Sequence, residues 1–280
     1  MKVDLSIITP SYNMLGYLQR CCHSVADQAD VAVEHLVIDG GSTDGTPAWL
    51  AQQPHLHSLS EADEGMYDAL NKGLDRARGN IVAYLNCDEQ YLPGTLRFVV
   101  DYFERHPKTD ILFGSALLIR PDASLIAFRK AYQPRWYYIL SSHLYVLSCT
   151  MFFRRRILDE GFRFNDQLRN IGDQDFVVRV LQHGYRAAVT ERYLSAFTMT
   201  GANMGAQETT RHEQQRALDA ASWWIRAFKI PLNAVRLLEK LTSGAYRQKR
   251  PLDYTVYAST EDTERSLFSS SSASFRWKTA

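Results

Sequence analysis

Along the first 120 residues, short apolar runs alternate with segments whose apolar positions recur at helical spacing. Runs at 4–9, 34–38, 81–85 and 111–119, with a shorter one at 57–60, read as strands too brief to be helices. Between them, 15–26, 46–52, 66–77 and 94–105 read as helices; in the third, Ala69, Leu70, Leu74 and Ala77 fall on one face. Strands and helices alternating in this way imply right-handed βαβ units and an open sheet with helices on both faces. The second half is less regular. It offers a strand at 124–129, an aromatic segment at 135–144 with Trp136, Tyr137 and Tyr138, a buried run at 150–153 and a helix at 173–183. Two short strands at 187–190 and 194–198 precede a Gly/Ala loop at 200–205.

The pattern divides the chain into a main domain at 1–205 (halves 1–120 and 121–205), a helical extension at 206–250 and a polar tail at 251–280. The extension reads as two helices, with Pro231 opening the second. The serine run at 269–272 is expected to be mobile.

Composition narrows the function classes. Lys and Arg total 32 against 31 for Asp and Glu, so no overall field draws nucleic acid. The four cysteines, Cys21, Cys22, Cys87 and Cys149, have neither metal-ligand spacing nor a disulfide framework, and suit a reducing compartment. The first residues run directly into a strand without a signal-peptide core, and no apolar stretch approaches a membrane span. The expectation is a cytoplasmic protein, soluble or peripheral at the inner face of the plasma membrane. Between Gly205 and Pro251, nine basic residues stand against four acidic ones, with Trp223, Trp224 and Phe228 among them. That composition suits contact with a membrane surface, a helical cap on the sheet, or a homodimer contact.

The candidate chemistry lies at strand ends. The run at 81–85 stops at Asn86-Cys87-Asp88-Glu89. Two adjacent carboxylates repel unless a proton or cation lies between them, so this is either a shelf for Mg²⁺ or Mn²⁺ or a solvated acidic turn. The first turn, Pro10-Ser11-Tyr12-Asn13, lacks the G-x-G-x-x-G of dinucleotide-binding enzymes, which disfavours an oxidoreductase. It also lacks the Gly-rich basic loop that a nucleotidyltransferase requires.

Four motifs in order carry a resemblance: Thr9-Pro10-Ser11-Tyr12-Asn13; Asp39-Gly40-Gly41-Ser42-Thr43-Asp44-Gly45-Thr46; Glu64-Gly65-Met66-Tyr67-Asp68-Ala69-Leu70-Asn71-Lys72-Gly73; and Leu85-Asn86-Cys87-Asp88-Glu89. Over roughly residues 3–205 the chain resembles family 2 glycosyltransferases, inverting enzymes of the GT-A fold, most closely those of bacterial cell-surface polysaccharide assembly. The resemblance implies an α/β fold of GT-A type, a nucleotide-diphosphate sugar donor (UDP favoured over GDP or dTDP) and a glycan or polyprenyl-diphosphate-linked acceptor. Thr9, Pro10, Tyr12, Asp39, Asp68, Lys72 and Asn86 would hold the donor. Asp88 and Glu89 would bind Mn²⁺ or Mg²⁺, with Glu89 departing from the Asp usual there. The acidic pair in Gly172-Asp173-Gln174-Asp175 would supply the base, Asp173, that deprotonates the acceptor hydroxyl. The competing reading is a sugar-nucleotide-binding protein of the same fold that has lost catalysis.

Overall fold

The computed structural model describes residues 3–29, 31–201 and 208–276. The first half runs β1 (Leu5–Ser11), α1 (Leu15–Ala26), β2 (Val33–Asp39), α2 (Thr46–Leu50), β3 (His57–Ser60), α3 (Met66–Leu74), β4 (Ile81–Tyr84), β5 (Glu89–Tyr91) and α4 (Thr95–Arg105). Then follow β6 (Ile111–Ile119), β7 (Leu125–Arg129), α5 (Trp136–Ser141), β8 (Met151–Arg154), α6 (Arg156–Asp159), α7 (Gly172–Gln182) and β9 (Ala187–Thr198). The remainder is α8 (Glu208–Asp219), α9 (Trp223–Ala227), α10 (Lys229–Thr242), β10 (Leu252–Val256) and β11 (Ser266–Ser270).

Among the described residues the main sheet has the order β3-β2-β1-β4-β8-β6-β9-β5, with β7 paired to β6. The first four strands are parallel; β8 then enters antiparallel to both β4 and β6. The sheet is therefore mixed, as expected of a GT-A fold. Side-chain alternation gives each face its own core. Ile8, Ile38, Val82 and Tyr84 pack beneath α3 and α7, whereas Leu5, Ile7, Ile81 and Ala83 pack against α1 and α4. Because β1 to β4 run in one direction, their carboxyl ends share one edge. The loops after Ser11, Asp39, Ser60 and Tyr84 all emerge there, where ligands bind in open α/β sheets.

The structure departs from the sequence reading in three places. Residues 187–198 form one continuous strand beside β6, irregular in register near Ser115, rather than two. The extension forms three helices, and Pro231 lies in the first turn of the last; the loop expected at 200–205 lies mostly outside the described residues. The tail is an ordered antiparallel pair, with Ser269 opposite Asp253 and Ser270 opposite Leu252. Leu252, Tyr254 and Val256 alternate inward onto Leu117, Phe128 and Ala196, which explains how so polar a segment is held. Gln90 on β5 exchanges hydrogen bonds with the Tyr257 main chain (2.9 and 2.8 Å). Arg265 bonds to Asp27 (2.5 Å) and to the Tyr91 carbonyl (2.8 Å), so the tail braces β5 from outside.

Tyr254 is buried, stacks on Phe268 and donates to the Ala123 carbonyl. Tyr254→Ala should cost about 3 kcal/mol by the usual scale for aromatic truncation, read as a lowered denaturant midpoint. An unchanged midpoint would show the tail to be detached from the folded core.

Candidate active site

The motif after β2 is a network of side chains closing on backbone. The Asp39 carboxylate, fully buried, accepts from the Ser42 hydroxyl (2.5 Å), the Ser42 amide (3.2 Å) and the Ser60 hydroxyl (2.5 Å). Gly40 lets the Asp63 carboxylate approach closely: a Cβ there would sit 2.5 Å from its oxygen and displace that side chain. Asp44 accepts from the Leu15 amide, where α1 starts, and from Thr46 at the start of α2, fixing two helices from one carboxylate. Asn13, with φ of 51°, accepts the Thr43 amide and donates its own to Ser42, joining the loops after β1 and β2. Tyr12 projects from this joint, 63% exposed, its ring available to a nucleobase.

Other expected donor residues are placed differently. Thr9 is fully buried, and its hydroxyl pairs with His35 (2.9 Å) on the α1 side of the sheet. Pro10 is buried as well. Lys72 lies between Glu61 (3.0 Å) and Asp68 (3.2 Å), the first of which contributes most to raising its pKa. Asp68 also takes the Glu64 amide at 3.0 Å, and this bond is the main cause of its lowered pKa. Asn71 exchanges two hydrogen bonds with the Phe164 main chain, clipping the segment before α7 onto α3. Arg154, Arg155 and Arg156 are spent on the Thr109 carbonyl, the Ala77 carbonyl and Asp110.

Past β4 the chain makes a tight turn, closed by the Glu89 amide on the Asn86 carbonyl (2.9 Å), instead of continuing as a strand. Glu89 begins β5 and is fully buried, one oxygen accepting the Asn86 amide at 2.8 Å and the other near Asn86 Nδ2. Burial, and then the charge of Asp88, push its carboxyl well above the usual carboxylate range. Asp88 is partly exposed in the same turn. Asn86 Oδ1, two residues before Asp88 in the same turn, is buried with no hydrogen-bond partner. Among the described residues no three His, Cys, Asp or Glu side chains converge into a metal cage. A Mg²⁺ or Mn²⁺ ion that completes its shell with phosphate oxygens and water needs only one or two carboxylates, and Asp88 with Asn86 Oδ1 fits that description.

Asp173 opens α7, where the positive helix end faces it. Burial raises its carboxyl to about 6, while the Gln174 amide (2.7 Å) and the Tyr67 hydroxyl (3.4 Å) partly offset that by donating to it. Tyr67, buried on α3, thus joins the first half of the sheet to Asp173. The contact depends on Gly172, where a Cβ would lie 2.7 Å from the Tyr67 ring. The charge of Asp173 is felt at Glu89 and at Tyr84, so the three carboxylates Asp88, Glu89 and Asp173 share one electrostatic site. Asp175 instead pairs with Arg179 one turn along (2.7 Å).

Two contributors escaped the sequence reading. Tyr67 sits in a quoted motif, yet no spacing rule shows that it touches a residue 106 positions away. Glu213 on α8 accepts the amides of Arg169 (2.8 Å), Asn170 (2.9 Å) and Ile171 (3.2 Å), capping the loop that delivers Asp173.

With this geometry established, likeness to known proteins decides the family. The sequence profile described as "Glycosyl transferase family 2" matches residues 6–162, more than half of the chain. The chain belongs to glycosyl transferase family 2. Relatives in the family include a PGL/p-HBAD biosynthesis glycosyltransferase of Mycobacterium tuberculosis, 26% identical over 218 residues that cover 73% of this chain and 79% of that protein. TuaG of Bacillus subtilis, named for teichuronic acid biosynthesis, is 32% identical over 135 residues, 46% of this chain and 54% of that one. Among solved structures, S. aureus TarS in complex with UDP-GlcNAc superposes with a TM-score of 0.60 at 20% identity, covering 86% of this chain and 73% of TarS. The Pyrobaculum calidifontis mannosyltransferase PcManGT, in complex with GDP-Man and Mn²⁺, gives 0.57 at 19%, covering 87% and 76%. These likenesses establish the GT-A-type fold of this family 2 member.

A raised carboxyl has a consequence for stability. Folded Asp173 keeps its proton to a higher pH than the unfolded chain does, so its contribution is lost as pH rises from the ordinary carboxylate range through about 6. Asp173→Asn, neutral throughout, should raise the unfolding midpoint over wild type at roughly pH 8, with the gap closing near pH 4. A variant less stable at the higher pH would show that the charged form is well solvated.

Proposed function

We propose that this family 2 member is an inverting glycosyltransferase that moves a sugar from a UDP-sugar to an acceptor hydroxyl on a glycan or polyprenyl-diphosphate-linked chain. The setting is surface polysaccharide assembly at the cytoplasmic side of the membrane. The observation that carries the reading is Asp173: a carboxylate at the positive end of a helix, raised to about 6, tied by Tyr67 to the half of the sheet whose loops would hold the nucleotide. The UDP-GlcNAc complex of a protein of similar fold supports the donor, and the relative named for teichuronic acid supports the setting.

In this scheme the nucleobase stacks on exposed Tyr12, beside the turn that Asp39 organises. Asp88 and Asn86 Oδ1 would hold a divalent ion, which when bound neutralises charge on the departing diphosphate. Glu89, turned into the fold, keeps the shelf in shape by accepting the Asn86 amide. Asp68 and Lys72 stand at the rim; Lys72 meets a donor phosphate by exchanging Glu61 for it. Asp173 takes the acceptor hydroxyl proton as the acceptor oxygen bonds to the anomeric carbon. The bond from that carbon to phosphate breaks, and its electron pair leaves with the nucleoside diphosphate. Asp173 then returns the proton to water. One carboxylate on the face opposite the leaving group gives inversion without a covalent sugar intermediate.

The test is transfer by wild type and Asp173→Asn, with product configuration assigned by NMR. The variant should bind donor normally and lose about 10²–10⁴ in kcat, the usual range for removing a general base. Wild-type kcat/KM should rise with pH through about 6 as Asp173 loses its proton. A retained anomeric configuration, or full activity in the variant, would remove Asp173 from this role. Donor binding without turnover in wild type would favour the sugar-nucleotide-binding alternative.

A further inference from the structure

The last helix is docked the wrong way round for a soluble surface. On α10 the polar side chains face the protein: Arg236 bonds to the Tyr132 hydroxyl (2.9 Å), Asn233 to the Ser141 carbonyl (2.9 Å), and Glu239 to Arg135 (3.0 Å). The apolar ones face away. Ile230, Leu238 and Leu241 recur at helical spacing and are exposed, Ile230 to 83%; Val235 flanks them, and Trp223 (70%) and Phe228 extend the surface from α9. A contiguous exposed apolar face of this kind signals a partner or a bilayer.

Charge selects between those occupants. Arg226 and Lys229 are exposed at the junction of α9 and α10, whereas the single carboxylate in residues 223–242, Glu239, is turned inward onto Arg135. A second copy packed through the same face would bring further cations, and no outward acid on α9 or α10 of either copy to meet them. Anionic headgroups meet them directly, while the apolar side chains and the Trp223 ring enter the acyl boundary. Among the described residues no helix is long and apolar enough to cross a membrane, so the contact is lateral.

We infer that the outward face of α9 and α10 is a docking surface for an anionic bilayer. Helix α10 packs on α5, and α5 on α7, the helix that carries Asp173, so docking sets the acceptor half beside the lipid surface. This deepens the proposed function by naming the surface from which a lipid-linked acceptor is taken, and rests on it for that point alone.

The experiment is vesicle flotation of the full chain, using phosphatidylcholine alone and phosphatidylcholine with about one third phosphatidylglycerol. Leu238→Ser/Leu241→Ser and Arg226→Glu/Lys229→Glu are the variants, all at exposed positions. Wild type should float with the anionic vesicles, with a blue shift of tryptophan emission, and not with phosphatidylcholine alone. Each double variant should lose about tenfold or more in partition, in line with the usual worth of surface charges and apolar contact. Transfer to a water-soluble acceptor should stay at the wild-type rate. Absence of wild-type binding to anionic vesicles overturns the proposal. So does a vesicle-independent dimer dissolved by Leu238→Ser/Leu241→Ser, which would place a second copy on this face. If flotation follows the expected pattern while no sugar transfer is found, the docking surface stands and the transferase reading falls.

Discussion

Crowding of negative charge is the constraint on which this structure turns. Asp88 and Asp173 lie close enough to Glu89 to raise its proton affinity, at a sheet edge bordered by further acids such as Asp39 and Asp63. Each carboxylate is made tolerable differently. Asp39 is saturated by hydroxyl and amide donors, Glu89 is buried with its proton affinity raised and accepts the Asn86 amide, and Asp173 is half-neutralised near pH 6. In the proposed scheme a polyanionic donor approaches only if that charge is countered, and the buried Asn86 Oδ1, which has no hydrogen-bond partner, is the oxygen that would help a cation do so.

The parts of the chain beyond the family match are what hold this arrangement. The match ends at residue 162, short of Asp173. From there, Asn71 clips the Phe164 segment, Glu213 caps the loop before α7, and the tail clamps β5 through Gln90 and Arg265. Extension and tail are thus continuous with the site through these hydrogen bonds.

Legibility from sequence followed the range of the interactions. Strands β1, β2, β4 and β6 and helices α1, α3, α4 and α7 were readable because their periodicity is local. The roles suggested for Tyr12 and Asp173 concern residues at strand and helix ends, and the structure brings both to the shared edge or to Tyr67. Thr9 was not readable as buried, because its motif position says nothing of which sheet face it occupies. Strand β5 was hidden in an acidic turn, since three residues paired to β9 leave no period. The ordered tail was missed because composition measures polarity, while Leu252, Tyr254 and Val256 need only alternate to find a core.

Calorimetric titration of UDP and of GDP into the purified chain, with Mn²⁺ and then with chelator, on wild type and Asp88→Ala, tests the central claim most directly. The expected result is UDP binding that depends on Mn²⁺ and is lost in Asp88→Ala at unchanged thermal stability. Nucleotide binding that persists with chelator and in the variant would contradict it, leaving a fold that holds a nucleotide without the ion shelf on which transfer is built.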